Sequence, residues 1–195
     1  MAYTRTSTKE SEPHVITRLT TDFYRQDVLA LAPGLVGKIL CRRLGAEVKR
    51  ARITETEAYR GENDSACHAR AGRTTRTHTL YEAGGIAYVY LCYGIHHLLN
   101  VVSGAEGEPQ AALIRALSGY PGPGRLTKAF GISRSENRLD LAVSGELWIE
   151  DDGFTAPQIA TGGRIGISYA TAEDQALPWR YWLDEEIVKE PATDT

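Results

Sequence analysis

The chain has 195 residues, 42% hydrophobic and 24% charged, with a formal net charge of −3. Those values fit one globular domain and exclude collagen, coiled coil and wholesale disorder. No apolar run reaches the roughly 18 residues of a bilayer helix, no apolar leader opens the chain, and three cysteines make no disulfide framework. The expectation is a soluble protein of a reducing, intracellular compartment.

Residues 1–16 read as a loose polar tail and 186–195 as an acidic one, which leaves a domain over 17–185. Asp22 is a candidate cap for a helix carrying Tyr24, Val28, Leu29 and Leu31, interrupted at Pro33-Gly34. From Val48 to Tyr59 the side chains alternate, with β-branched Ile53, Thr54 and Thr56, and predict a strand. Residues 60–79 are polar, Arg-rich and aperiodic, and a stretch of that length without structure of its own is usually functional. Gly84-Gly85 marks a turn before a strand over Ile86–Cys92; Gly94 breaks it and His97–Ser103 resumes. Leu113–Leu117 is a short apolar strand interrupted by Arg115, and Pro121–Gly124 opens a short helix that Gly131 stops. Glu146–Glu150 and Arg164–Ser168 complete the predicted strands. Runs of strands with few helices and no βαβ alternation predict a mixed α+β domain around an antiparallel sheet.

Charge is unevenly placed. Residues 38–138 hold fifteen Lys or Arg against nine Asp or Glu, whereas 139–195 hold three against twelve. That segregation reads either as a basic face for a polyanion or as an asymmetry of solvated surface.

Three constellations carry chemistry. Glu55 and Glu57 lie on one face of the predicted strand with Ile53 and Ala51. The pair reads as solvated charges at a strand end, or as an acid carried into a pocket where desolvation makes it a usable base. In Tyr88-Val89-Tyr90-Leu91-Cys92-Tyr93-Gly94, Tyr88 and Tyr90 share a face, as cross-strand packing or as a stacking platform. Tyr93 at a turn glycine can protrude as a wedge. Arg70, Arg73 and Arg76 on the long loop suit phosphates, as do Arg125 and Lys128 beside Gly122-Pro123-Gly124, a sequence that also serves as a plain turn. Arg115 requires a partner if buried, and Glu55 or Glu57 would serve. Cys67, His68, His96 and His97 lack zinc-site spacing, so no metal is expected.

Taken in order, Glu55-Thr56-Glu57-Ala58-Tyr59, Ala66-Cys67-His68-Ala69-Arg70, Tyr88-Val89-Tyr90-Leu91-Cys92-Tyr93-Gly94, Asn100-Val101-Val102, Leu113-Ile114-Arg115-Ala116-Leu117 and Gly122-Pro123-Gly124-Arg125-Leu126 resemble the alkyladenine (3-methyladenine) DNA glycosylase family. Arg164-Ile165-Gly166-Ile167 and Pro178-Trp179-Arg180-Tyr181 extend the resemblance to about residues 20–183. It implies a single domain with a curved antiparallel sheet and surrounding helices, acting as a monomer on duplex DNA with damaged purines, without metal or cofactor. It implies Glu57 as the general base and Arg115 as the residue placing its water. It implies Tyr59, His68 and Tyr90 as walls around a flipped base, with a protonated His68 or a main-chain N–H as possible donors to a neutral leaving base. Asn100 becomes the side chain that disfavours guanine, and Tyr93 the residue that fills the hole in the duplex. The implied reaction is hydrolysis of the N-glycosidic bond to an abasic site; a lyase or a silent lesion-binding protein are the alternatives. The chain departs from the family pattern at Thr77-His78, Ile95 and Leu98, which bears on lesion preference.

Overall fold

The structure is a computed structural model and describes residues 15–183, so all but the last two residues of the expected N-terminal tail, and the whole acidic C-terminal tail, lie outside the described residues. The described strands are β1 (Thr17–Arg18), β2 (Ile39–Leu44), β3 (Glu47–Arg60), β4 (Ala87–Cys92), β5 (His96–Ser103), β6 (Gln110–Leu117), β7 (Tyr120–Pro121), β8 (Leu147–Asp151), β9 (Ile159–Gly162) and β10 (Arg180–Leu183). Helices α1 (Thr21–Tyr24), α2 (Val28–Leu35), α3 (Pro123–Ala129) and α4 (Ala172–Ala176) accompany them. All named pairings are antiparallel, in the order β1-β8-β2-β3-β6-β5-β4, with β7 on β6 and β9–β10 branching from β3. This is the expected mixed α+β class.

The long strand β3 organises the molecule because it changes neighbours midway. Glu47–Arg52 pair with β2. From Ile53 onward β3 pairs with β6, and Glu55–Glu57 also take β10 on the edge that β2 has left. Two register shifts, between Ile53 and Glu55 and between Glu55 and Thr56, mark a bulge there. A bulge inserts a residue and inverts the alternation beyond it. Ile53 and Ala51 therefore face the main core, as do Thr56 and Ala58, while Glu57 and Tyr59 turn to the opposite face. The expectation that Ile53 and Ala51 share a face with the two acids is thus corrected.

Strand alternation then builds two hydrophobic layers. Ala87, Val89, Leu99, Val101, Ala112 and Ile114 join the core under α2 and α3. Their neighbours Tyr88, Val102 and Ala111 pack on the other face against Cys67 and Ala69 of the 60–79 loop and Leu80 just after it. That loop is not structureless: His68–Ala71 and His78–Tyr81 form 3₁₀ turns over the sheet. Each large aliphatic side chain fully removed from water contributes about 1.5–3 kcal/mol, so the two layers hold both faces of the sheet.

Local signals account for most boundaries. The cap of the first long helix is Asp27, whose carboxylate accepts from Leu29 N at 2.9 Å, while Asp22 lies in the first turn of α1. The Gly84-Gly85 turn has a steric cause as well: a Cβ on Gly84 would lie 2.3 Å from the Tyr24 carbonyl oxygen. Residues 164–168, expected as a strand, form a loop instead. Gly166 takes φ +77°, the Arg164 guanidinium is drawn inward, and the Ile165 N–H is used on Glu57 rather than on a ladder. No helix among the described residues is long and apolar enough to cross a membrane.

Candidate active site

Glu57 sits past the bulge, fully buried, with each oxygen partnered. Oε1 accepts from the Ile165 N–H at 2.7 Å and lies 3.3 Å from Arg115 Nη1. Oε2 accepts from the Tyr59 hydroxyl at 2.8 Å. Burial raises the Glu57 pKa, and Arg115, the Ile165 N–H and the Tyr59 hydroxyl oppose that rise. The ionised form is costly here yet has three donors waiting for it, the condition of a usable base.

Arg115, the charged interruption in β6, meets both candidate acids: Nε donates to Glu55 Oε1 at 3.1 Å while Nη1 faces Glu57. Arg164 underpins the other side. Its guanidinium is fully buried, forks onto Asp64 at 2.6 and 2.9 Å, donates to Ala58 O at 3.0 Å, and lies 4.9 Å from the Tyr59 ring. A two-pronged buried pair of this kind fixes the wall it supports. Its sequence signal was slight, an Arg in a strand-like segment far from the acid.

Above Glu57 opens a cleft of about 660 Å³ lined by Tyr59, His68, Tyr90, Arg115, Ile165 and Tyr169 among others. Glu57 itself lies beneath this lining. A smaller pocket below the cleft brings Asn100 together with Tyr59, His68 and Tyr90. The tyrosines of β4 divide their roles. Tyr88 is buried packing, its hydroxyl 3.0 Å from His68 Nδ1, whereas Tyr90 borders the cleft and stands edge-on to the His68 ring at 4.5 Å. Burial, with Arg76 and Arg70 nearby, lowers the His68 pKa to about 4, so the ring is neutral at pH 7. The same burial and cations disfavour the protonated His68 considered as a proton donor. Asn100, 5% exposed, donates from Nδ2 to Tyr88 O at 3.1 Å. It is therefore a backbone partner and a pocket residue at once.

The β4–β5 hairpin carries the remaining aromatic. Tyr93 is 88% exposed at φ +48° beside Gly94 at φ +72°, in a turn closed by Ile95 N–H to Cys92 O at 3.0 Å. A bulky residue with positive φ is uncommon and is held only where the surrounding turn imposes it. Leu91 and Ile95 are exposed beside it, so the tip is apolar in water.

The five expected phosphate ligands are all exposed and, among the described residues, none has a carboxylate within ion-pair distance. Arg70 stacks on Tyr169 at 4.8 Å and donates to Ser65 O, Arg76 stands over Tyr90 at 5.7 Å, and Arg73 over Tyr81 at 5.5 Å. Arg125 and Lys128 lie on α3, which Gly124 seats against His96: a Cβ there would come within 2.8 Å of the imidazole. Gly122-Pro123-Gly124 thus serves as turn and close packing. Two residues that sequence reasoning passed over border the site: Tyr169, whose hydroxyl donates to Ala66 O at 2.9 Å, and Arg180, which reaches Glu55. Nothing in the local pattern marks Tyr169, and Arg180 shows only as part of a familiar tetrapeptide.

Known proteins resemble this chain over most of its length. A family model described as methylpurine-DNA glycosylase matches residues 22–121 and 118–187. A Psychrobacter cryohalolentis protein provisionally named 3-methyladenine DNA glycosylase is 39% identical over 83% of this chain and 90% of its own length. A Methanocella arvoryzae protein of the same provisional name is 42% identical over 84% and 91%, and one from Anaeromyxobacter dehalogenans is 43% identical over 85% and 83%. With a family model matching most of the chain and relatives 39–43% identical over more than four fifths of it, the chain belongs to the methylpurine-DNA glycosylase family.

Proposed function

We propose that this protein is a monofunctional DNA glycosylase, acting as a monomer inside the cell, that extrudes an alkylated or deaminated purine such as 3-methyladenine from duplex DNA and hydrolyses its N-glycosidic bond. The observation that carries the reading is Glu57: a carboxylate with no exposed surface, held by Arg115, Tyr59 and a main-chain N–H under an aromatic cleft.

A glycosidic bond inside stacked DNA is out of reach, so the nucleotide must leave the stack at a cost of a few kcal/mol. Tyr93, already exposed at a hairpin tip, fills the vacated space and offsets part of that cost. The extruded base enters between Tyr59, His68 and Tyr90. A cationic alkylpurine there gains attraction from the ring faces. Asn100 at the pocket wall crowds the 2-amino group of guanine. Arg70, Arg73, Arg76, Arg125 and Lys128 meet the phosphates.

Cleavage develops positive charge on the sugar, which an ionised carboxylate stabilises, and the same carboxylate takes the proton of the attacking water. Arg115 holds that water against Glu57. A cationic base leaves without protonation; the neutral His68 supplies no proton to hypoxanthine, so the reading favours cationic lesions. No lysine lines the cleft among the described residues, which favours water over an amine as nucleophile.

Single-turnover excision from duplexes carrying 3-methyladenine, 7-methylguanine, hypoxanthine or ethenoadenine tests this. The protein should release at least one of them and leave an abasic site that borohydride does not trap. Glu57→Gln should retain lesion binding and lose about 10²–10⁴-fold in rate, the usual contribution of a general base. A wild-type rate in that variant removes Glu57 from the chemistry, and no release from any duplex leaves a lesion-binding protein.

A further inference from the structure

Glu55 and Arg180 have no part in the chemistry described so far, yet they form one chain of charge with the proposed site. Arg180, from β10, lies 4.3 Å from the Trp182 ring and donates from Nη1 to Glu55 Oε1 at 3.2 Å. That same oxygen accepts from Arg115 Nε at 3.1 Å, and Arg115 Nη1 continues to Glu57 at 3.3 Å. The bulge in β3 makes the line possible, because it places Glu55 opposite Ala116, next to Arg115, while β10 pairs along the other edge of the strand. Two acids and two guanidiniums thus balance, and Glu55 is shared between two cations of which only one touches Glu57.

We infer that Glu55 is a positioning residue: anchored by Arg180, it divides the charge of Arg115 between itself and Glu57, and so sets the basicity with which Glu57 works. The inference rests on Glu57 being the base. Its physical content is Coulombic. An acid beside Arg115 weakens the pull of that guanidinium on Glu57, and a second cation beside Glu55 restores part of it. The charged and titratable groups facing Glu57 are Glu55 and Tyr59 on β3, Arg115 on β6, Arg164 and the Ile165 N–H on the loop after β9, and, through Glu55, Arg180 on β10. Among them Glu55 is the one added negative charge.

The test is the pH profile of single-turnover excision, with lesion-duplex affinity and melting temperature read on the same samples. Glu55→Gln keeps an acceptor for Arg115 and removes the charge. Its acidic limb should move to lower pH by about half a unit, with a plateau rate lower by no more than about threefold, because a base weaker by that amount accepts the proton. Lesion-duplex affinity should stay within about twofold. Arg180→Gln removes the opposing cation and should move the limb the other way. Limbs that stay at the wild-type pH in both variants overturn the proposal, as do limbs that move in the same direction. If Glu55→Gln does not fold, the Arg180→Gln limb alone decides, upward in support and unmoved against. Glu57→Gln in the same series separates the two readings: a wild-type rate there rejects the base itself rather than its positioning.

Discussion

The two halves of the sheet treat the same residue types in opposite ways. In the half built from β1, β8, β2 and the first part of β3, cations find carboxylates: Lys38 with Asp151, Arg42 with Glu136, Arg50 with Glu150 and Arg52 with Asp152. In the half built from β3 beyond its bulge, β6, β5 and β4, Arg115 and Arg180 answer Glu55 and Glu57 and Arg60 answers Asp27, but the exposed loop cations Arg70, Arg73 and Arg76 stand over tyrosine rings without an acid, Arg70 and Arg76 at the cleft. The first arrangement closes charge upon itself and serves the fold; the second leaves charge available to an anion. The acids that answer the first set, Glu136 and Glu150 to Asp152, come from the C-terminal third of the chain. Part of the uneven charge along the sequence therefore cancels across β2 and β8 in space.

The comparison is sharpened most by breaking one ion pair of each kind. Arg164 and Asp64 are wholly buried, and Arg164→Ala leaves a buried carboxylate without its partner. The expected loss is about 3–5 kcal/mol of stability, read as a large fall in melting temperature, with excision lost alongside because Tyr59 loses its support. Arg50 in its half-exposed pair should cost under about 1 kcal/mol when truncated. Equal effects at the two sites would erase the distinction between wall and surface.

Tyr93→Ala comes next. It should weaken binding to lesion-bearing duplex by about 1–3 kcal/mol, the range for a stacking side chain, and leave the melting temperature where it was, because the ring touches little in the free protein. A parallel loss of stability would instead assign Tyr93 to the fold.

Glu57→Gln should make the protein more stable at neutral pH, against the direction of its effect on rate. Burial raises the folded-state pKa of Glu57, so its favourable contribution is fully present below the unfolded value and is lost as pH rises through the folded one. The gain over wild type should therefore widen as pH rises above the ordinary carboxylate value of about 4, each kcal/mol adding about 2–4 °C to the melting temperature. A gap that closes toward neutral pH contradicts the buried, strained carboxylate.

The smallest expected effect separates the free cations from the paired ones. Arg76→Ala or Lys128→Ala should weaken binding to any duplex alike and lower the slope of log affinity against log salt by about one. Arg52→Ala, whose guanidinium forks onto Asp152, should leave that slope unchanged.

Much of the fold was legible because local rules sufficed. The alternation over Val48–Tyr59 is β3, the Tyr-rich run and its turn glycine are the β4–β5 hairpin, and the Pro123 start with the Gly131 stop bounds α3. The α+β class followed from counting such elements. The candidate site was legible through a resemblance carried by short motifs, and the structure brings Glu57, Arg115, Tyr59, His68, Tyr90 and Asn100 around one cleft and the pocket beneath it. Short or irregular pieces were not legible. β7, β9 and β10 are two to four residues each, too brief for a period, and Arg164–Ser168 has a strand's composition but a loop's task.

What the sequence determined by itself is what propensity and spacing within one segment can hold: where strands and turns fall, that an acid pair, a tyrosine run and a basic loop exist, and to which family they belong. The tertiary structure alone decided which face each of these takes and what charge it carries. A single bulge in β3 turns Glu57 away from Ile53 and toward Arg115. Burial together with Arg76 and Arg70 pushes the His68 pKa down, and acids about a hundred residues away pair with Lys38, Arg50 and Arg52 of the basic segment. Strand parity is inverted by one inserted residue, and a pKa or an ion pair depends on distance and burial rather than on order along the chain. Those quantities come into being only when distant segments are packed together.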